Sequence, residues 1–213
     1  MKMNLVEMNI VAMYRVKNEE RWIEKSLESI SSLCSKIVIL DDGSTDNTIE
    51  ICRSFSNVVD IYQQKDLPFD ELRDRNQLLK IALKHNPDYL LALDGDEILM
   101  PKTSDIILEE LEVLYPTSTM FQFQFLYVWD DFNKYRYDGL YNNIWHNRLL
   151  KMKGQPKDLY FKPNDFSPKF HMGSLPSNAI GYDYAVRSNV KILHYGNFDK
   201  KLRESKFEFY TKN

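Results

Sequence analysis

The 213-residue chain is long enough for one α/β domain with a sizeable core. A net charge of -3 without a basic patch gives no footprint for nucleic acid, and no apolar run approaches the roughly 18 residues of a membrane span. Glycine is sparse and forms neither a G-x-G-x-x-G nor a P-loop, which argues against the common NAD and ATP loops. The two cysteines, Cys34 and Cys52, fall on apolar positions and read as reduced core thiols, as in a cytoplasmic protein.

Residues 9–14 read as a first strand, and polarity rises sharply at Arg15-Val-Lys-Asn18-Glu19-Glu20. Ile23, Leu27, Ile30 and Cys34 then recur at helical spacing, opposite Glu24, Lys25 and Glu28. Residues 36–40 form a second apolar run that ends in Asp41-Asp42-Gly43-Ser44-Thr45-Asp46, where Asp41 and Asp46 suit turn capping. Ile49, Cys52 and Phe55 mark the next helix, and residues 58–62 a third strand. A helix with Leu72, Leu79 and Leu83 on one face follows, with Arg73 and Arg75 near its start. Cations there oppose the helix dipole and call for an acidic or phosphate partner.

Tyr89-Leu-Leu-Ala-Leu-Asp94-Gly95-Asp96-Glu97 is the centre of the pattern, because a buried strand runs directly into three carboxylates. In parallel sheets ligands bind beyond the carboxyl ends of the strands. Crowded carboxylates at that place suit Mg2+ or Mn2+ carrying substrate phosphates, although an isolated D-x-D is also the sequence of a solvated acidic turn. The alternation of strands and helices predicts a mainly parallel sheet with right-handed crossovers.

Thr103 or Ser104 can cap a helix bearing Ile107, Leu111 and Leu114. Phe121, Phe123, Phe125, Tyr127 and Trp129 then alternate at the period of a strand, Asp130-Asp131 lies at a hairpin turn, and the second half looks more antiparallel. Tyr141, Trp145, His146 and Arg148 could form the floor of an acceptor site or simply a sheet surface. Residues 154–181 read as a mobile loop that orders on binding. Residues 190–196 give a last short strand ending at His194, and a charged helix runs to Asn213.

In this order, Val16-Lys17-Asn18-Glu19-Glu20, Asp41 to Asp46, Arg75-Asn76 and Asp94-Gly95-Asp96 resemble family 2 glycosyltransferases over roughly the first hundred residues. The resemblance implies an α/β GT-A fold, Rossmann-like, with a smaller antiparallel acceptor-side portion. It further implies a metal-dependent glycosyltransferase using a nucleotide-diphosphate sugar, a UDP- or GDP-sugar, and a glycan, lipid-linked or protein acceptor, with inversion. Carried over by position, Arg15, Glu19, Asp42, Arg75, Asp94 and Gly95 would bind the donor, and Asp96 with His194 would hold Mn2+ or Mg2+. Relatives carry an acid in a His-Glu pair where this chain has His171-Met172. Asp183 is the favoured replacement as base, with Asp165, Asp130, Asp131 and His171 as rivals; His85 and His146 have weaker claims.

A single domain over 1–213 is expected, split into a donor half (1–100) and an acceptor half (101–213), and the abrupt final helix suggests further domains beyond it. The expected location is the cytoplasm or the periphery of a membrane. Two other readings share parts of the pattern: a noncatalytic carbohydrate-binding module that has lost its base, and a sugar-phosphate nucleotidyltransferase. The latter would need a glycine- and lysine-rich first loop, whereas this loop has one lysine and no glycine.

Overall fold

A computed structural model describes residues 8–65, 67–163 and 173–212, except for the side chains at 209, 210 and 212. Apolar strands become the centre of a mixed eight-stranded sheet, in the order β3-β2-β1-β4-β7-β6-β8-β5. β1 (Ile10–Val16), β2 (Lys36–Asp41), β3 (Val58–Gln63) and β4 (Tyr89–Asp94) are mutually parallel. The second half follows as β5 (Glu97–Leu99), β6 (Met120–Tyr127), β7 (Ile144–Lys151) and β8 (Val186–His194). β7 is antiparallel to both β4 and β6, β8 runs parallel to β6, and β5 closes the far edge antiparallel to β8.

Alternation along each strand sends successive side chains to opposite layers. Ile10, Ala12 and Tyr14 of β1, Ile37 and Ile39 of β2 and Phe121, Phe123 and Phe125 of β6 pack in one layer. It is covered by α1 (Ile23–Ile30), α2 (Thr48–Arg53) and α4 (Thr103–Glu109) with its π-helical extension Glu110–Leu114. Val11, Met13, Val38, Leu40 and Leu90 face the other way, onto α3 (Glu71–Leu83) and onto Phe161, Leu175 and Ala179. Each fully buried Leu, Ile or Phe contributes about 1.5–3 kcal/mol, which holds the strand ends in place.

α1 follows its sequence pattern: Ile23, Leu27 and Ile30 face the sheet, and Ser26 shares that face. The Ser26 hydroxyl donates to the Glu97 carbonyl at 2.5 Å and pairs with the Tyr14 hydroxyl at 3.0 Å. This buried chain of polar groups ties α1 to β5. α5 (Lys200–Lys212) returns to the carboxyl edge of the sheet, with Leu202 against a cluster of Trp22, Val128, Tyr195 and Phe198.

Three expectations are corrected. The described flanks of the loop over 154–181 are anchored: the Asn76 side chain donates to the Phe161 carbonyl and accepts from its N–H. α4 has no side-chain cap, and Thr103 instead donates its hydroxyl to the Met100 carbonyl. β8 begins at Val186, four residues earlier than its apolar run suggests, because Val190 and Ile192 alternate with exposed Asn189 and Lys191 rather than forming a continuous stretch.

Candidate functional site

The carboxyl ends of β1, β2 and β4 deliver Arg15, Asp42 and Asp94 to one edge. Arg15 donates to Asp42 at 2.9 Å and to Asp74 at 3.0 Å, and it lies over the Phe69 ring. Asp74 is wholly buried and also accepts from Gln64 and Arg73. A carboxylate so fully bonded fixes the guanidinium in one orientation. Next to Asp74 on α3, Arg75 donates to Glu71 at 3.2 Å and to Asp94 at 3.3 Å. Burial works to raise the Asp94 carboxyl, yet Arg75, Arg148 and Arg15 together hold it below the usual carboxylate range. Both arginines of the Arg73-Asp74-Arg75 sequence therefore have the acidic partners their helix position calls for.

Gly95 lets the chain turn against Glu19, since a Cβ here would stand 2.7 Å from Glu19 Cγ. Burial, with Asp96 next in effect, pushes the Glu19 carboxyl up to about 9. Glu97 turns inward: its carboxylate accepts from Arg148 and from the Asp94 N–H, and burial pushes it upward against the pull of Arg148. Arg148 also donates to Ser174 and to the Ala92 carbonyl. It is thus a buried strut between β7 and β5 rather than part of an acceptor floor.

Asp96 differs from these carboxylates. Asp42, Asp94 and Glu97 each accept from a guanidinium, while Asp96 faces Lys206 Nζ at 3.5 Å and His194 Nε2 at 3.8 Å. Ligand atoms of Asp96, Glu97 and His194 lie within 4.8 Å of one another. Burial lowers the His194 pKa against the pull of Asp96, and its Nδ1 is a buried atom with no hydrogen-bond partner among the described residues. A carboxylate beside an imidazole fits a divalent cation, with Glu97 already engaged elsewhere.

The structure thus brings Arg15, Glu19, Asp42, Arg75, Asp94, Gly95, Asp96 and His194 to one edge. It does not bring Asp183 there. β8 runs parallel to β6, with Tyr127 opposite His194 and Phe121 opposite Val186, so Asp183 lies beyond the amino end of β8 on the opposite edge. The length of β8, eight residue steps or roughly 25 Å, separates the helical turn that carries Asp183 from His194. Asp130 is paired with Arg203 and Asp131 with Lys134, while His85 lies 4.0 Å from Asp60. Asp165, His171 and Met172 lie outside the described residues.

His146 is on β7, packed edge-on against Phe125 at 4.5 Å, and burial lowers its pKa to about 4. A cavity of about 170 Å³ opens there between Trp145, His146, Asn147, Gly173, Ser174 and Tyr182. Phe125 also lies 5.8 Å from His194, which links this recess to the carboxylate cluster. Sequence reasoning gave no role to Asp74 or Lys206, and it read Arg148 as acceptor floor or sheet surface rather than as the partner of Glu97. An Asp between two arginines was a signal for the first; the other two are set by long-range contacts.

A model of the family described as Glycosyl transferase family 2 matches residues 15–176. Two mycobacterial proteins of uncharacterized function, Rv3786c of Mycobacterium tuberculosis and Mb3815c of Mycobacterium bovis, are each 30% identical over 95 residues. That match spans 42% of this chain and 23% of either relative. Among solved structures, Staphylococcus aureus TarS 1-349 aligns with a TM-score of 0.45 and 20% identity, over 62% of this chain and 39% of the other. Glucosyl-3-phosphoglycerate synthase from Mycobacterium tuberculosis, in complex with Mn2+, UDP-glucose and phosphoglyceric acid, aligns with a TM-score of 0.38 and 19% identity, over 57% and 45%.

Proposed function

The chain belongs to glycosyl transferase family 2, and from that premise we propose that it transfers a sugar from a UDP- or GDP-sugar to a hydroxyl of a glycan, lipid-linked or protein acceptor. The observation that carries this reading is the convergence of Arg15, Asp42, Arg75, Asp94, Asp96 and His194 at the carboxyl ends of β1, β2, β4 and β8 or beside them. Asp42, held by Arg15, presents a fixed acceptor edge to the ring N–H groups of uracil or guanine. Asp94 would face the ribose, and Arg75, 3.3 Å from Asp94, would bring its guanidinium to the diphosphate.

Asp96 and His194 would hold the divalent cation. An imidazole in the set favours Mn2+ over the strictly oxygen-seeking Mg2+. Bound there, the cation would neutralise charge on the leaving diphosphate. The acceptor hydroxyl is placed in the recess at Trp145, Asn147 and Ser174, whose volume equals about five or six waters. An aromatic face with amide and hydroxyl neighbours is the lining a polyol requires.

Among the described residues no helix is long and apolar enough to cross a membrane. A thermal-shift screen of UDP-, GDP-, CMP- and dTDP-sugars with and without Mn2+ tests the proposal. A UDP- or GDP-sugar should raise the midpoint, and more so with Mn2+. No shift with any of them would overturn it.

A further inference from the structure

α5 is positioned by its first turn. Asp199 accepts from the Leu202 N–H at 2.9 Å and pairs with Arg21 at 2.6 Å. Arg203 donates to the carbonyls of Asn197 and Phe198, pairs with Asp130 at 3.0 Å and stacks on Trp129 at 4.2 Å. Leu202 enters the cluster of Trp22, Tyr195 and Phe198. One turn further, on the same side as Arg203, Lys206 reaches Asp96 Oδ2 at 3.5 Å.

The approach is built into the backbone: Gly196, two residues after His194, has no Cβ at the place where Asp96 Oδ2, Lys206 Nζ and His194 Cε1 converge. Any larger residue would collide with all three. The ammonium therefore lies against a carboxylate that, among the described residues, no guanidinium holds, beside the imidazole that would complete a metal site.

We propose that Lys206 is a tethered counter-cation of Asp96, which a divalent cation must displace on entering, so that metal uptake is coupled to release of the end of α5. The inference rests on the metal reading above and adds the control of that site. Two features make Lys206 displaceable where an arginine would not be. Its side chain is 42% exposed, so the ammonium has solvent to move into, and it makes a single-point rather than forked contact with the carboxylate. A fixed positive charge at Asp96 both relieves the repulsion between Asp94 and Asp96 without metal and opposes a second cation.

The test is Mn2+ binding to the full chain, followed by the electron paramagnetic resonance signal of free Mn2+, in wild type and Lys206→Met. This substitution keeps the apolar stem and removes the charge. The variant should bind Mn2+ about fivefold more tightly, the upper end for a partly exposed pair, and the difference should shrink with added salt. In wild type, Mn2+ should speed amide exchange over residues 207–212; in Lys206→Met that exchange should be fast already.

Equal or weaker Mn2+ binding by Lys206→Met would overturn the inference and leave the metal site standing. Lack of Mn2+ binding by both proteins would overturn the metal reading and this inference together.

Discussion

At the ends of β1, β2 and β4, Asp42 and Asp94, together with Asp74 on α3, accept from arginines at 2.7–3.3 Å, and most of this network is buried. A few ångströms along the chain, between β4 and β5, the ionic partners of Asp96 among the described residues are an ammonium at 3.5 Å and an imidazole at 3.8 Å. The first region is a seat whose charges are satisfied before any ligand arrives. The second holds its carboxylate with partners that can leave. Rigid recognition of a nucleotide and exchangeable binding of a cation need these two opposite arrangements, and one sheet edge supplies both.

Asp96→Asn should break the exchangeable region and spare the rigid one. Transfer or donor hydrolysis should fall by about 10²–10³, the scale for losing one electrostatic stabiliser, with little change in the unfolding midpoint. Steady-state kinetics beside a melting curve would check both halves of that expectation.

Arg148→Leu should act on stability instead. It strands Glu97, which is 1% exposed, and should cost about 3–5 kcal/mol in urea unfolding. Replacing Glu97 with Met in the same chain should recover much of that loss.

Gly95→Ala tests the join between the regions. Its Cβ would press on Glu19, so a destabilisation of about 1–3 kcal/mol is expected, with weaker donor binding by calorimetry.

Glu19 gives the pH dependence. Its folded pKa is raised by burial from 4.5 to about 9, so the proton it holds stabilises the fold fully below about 4.5 and ceases to do so as pH rises through about 9. Without metal, Glu19→Gln should remove this decline. Midpoints of the two proteins should therefore separate with rising pH, the variant ending the more stable.

The smallest effect is expected of Asp183→Asn, an exposed change on the opposite edge, within about 0.5 kcal/mol of wild-type stability and without loss of turnover.

The rigid region was the more legible of the two in the sequence. Its strands are continuous apolar runs, with Asp94 ending β4 and Asp42 following β2 directly, so local pattern places them, and Arg75 is marked by its charge near the start of α3. The exchangeable region depends on contacts between distant segments. Arg148 and Glu97 are 51 residues apart, and β5 is three residues long with no pattern of its own. Lys206 is one lysine among several on a charged helix, and only the docking of Leu202 and Arg203 gives it a direction. Asp183 was misplaced because strand direction in the second half is not written in hydrophobic periodicity. Lying between the loop and the last strand in sequence put it at the opposite end of β8 from His194.

Mn2+ titration in the presence of UDP or GDP, comparing wild type with Asp96→Ala, tests the central claim most directly. The account predicts one Mn2+ per chain for wild type, bound more tightly with one of the two nucleotides, and neither feature in the variant. Equal Mn2+ uptake by both proteins, or uptake that neither nucleotide affects, would contradict it.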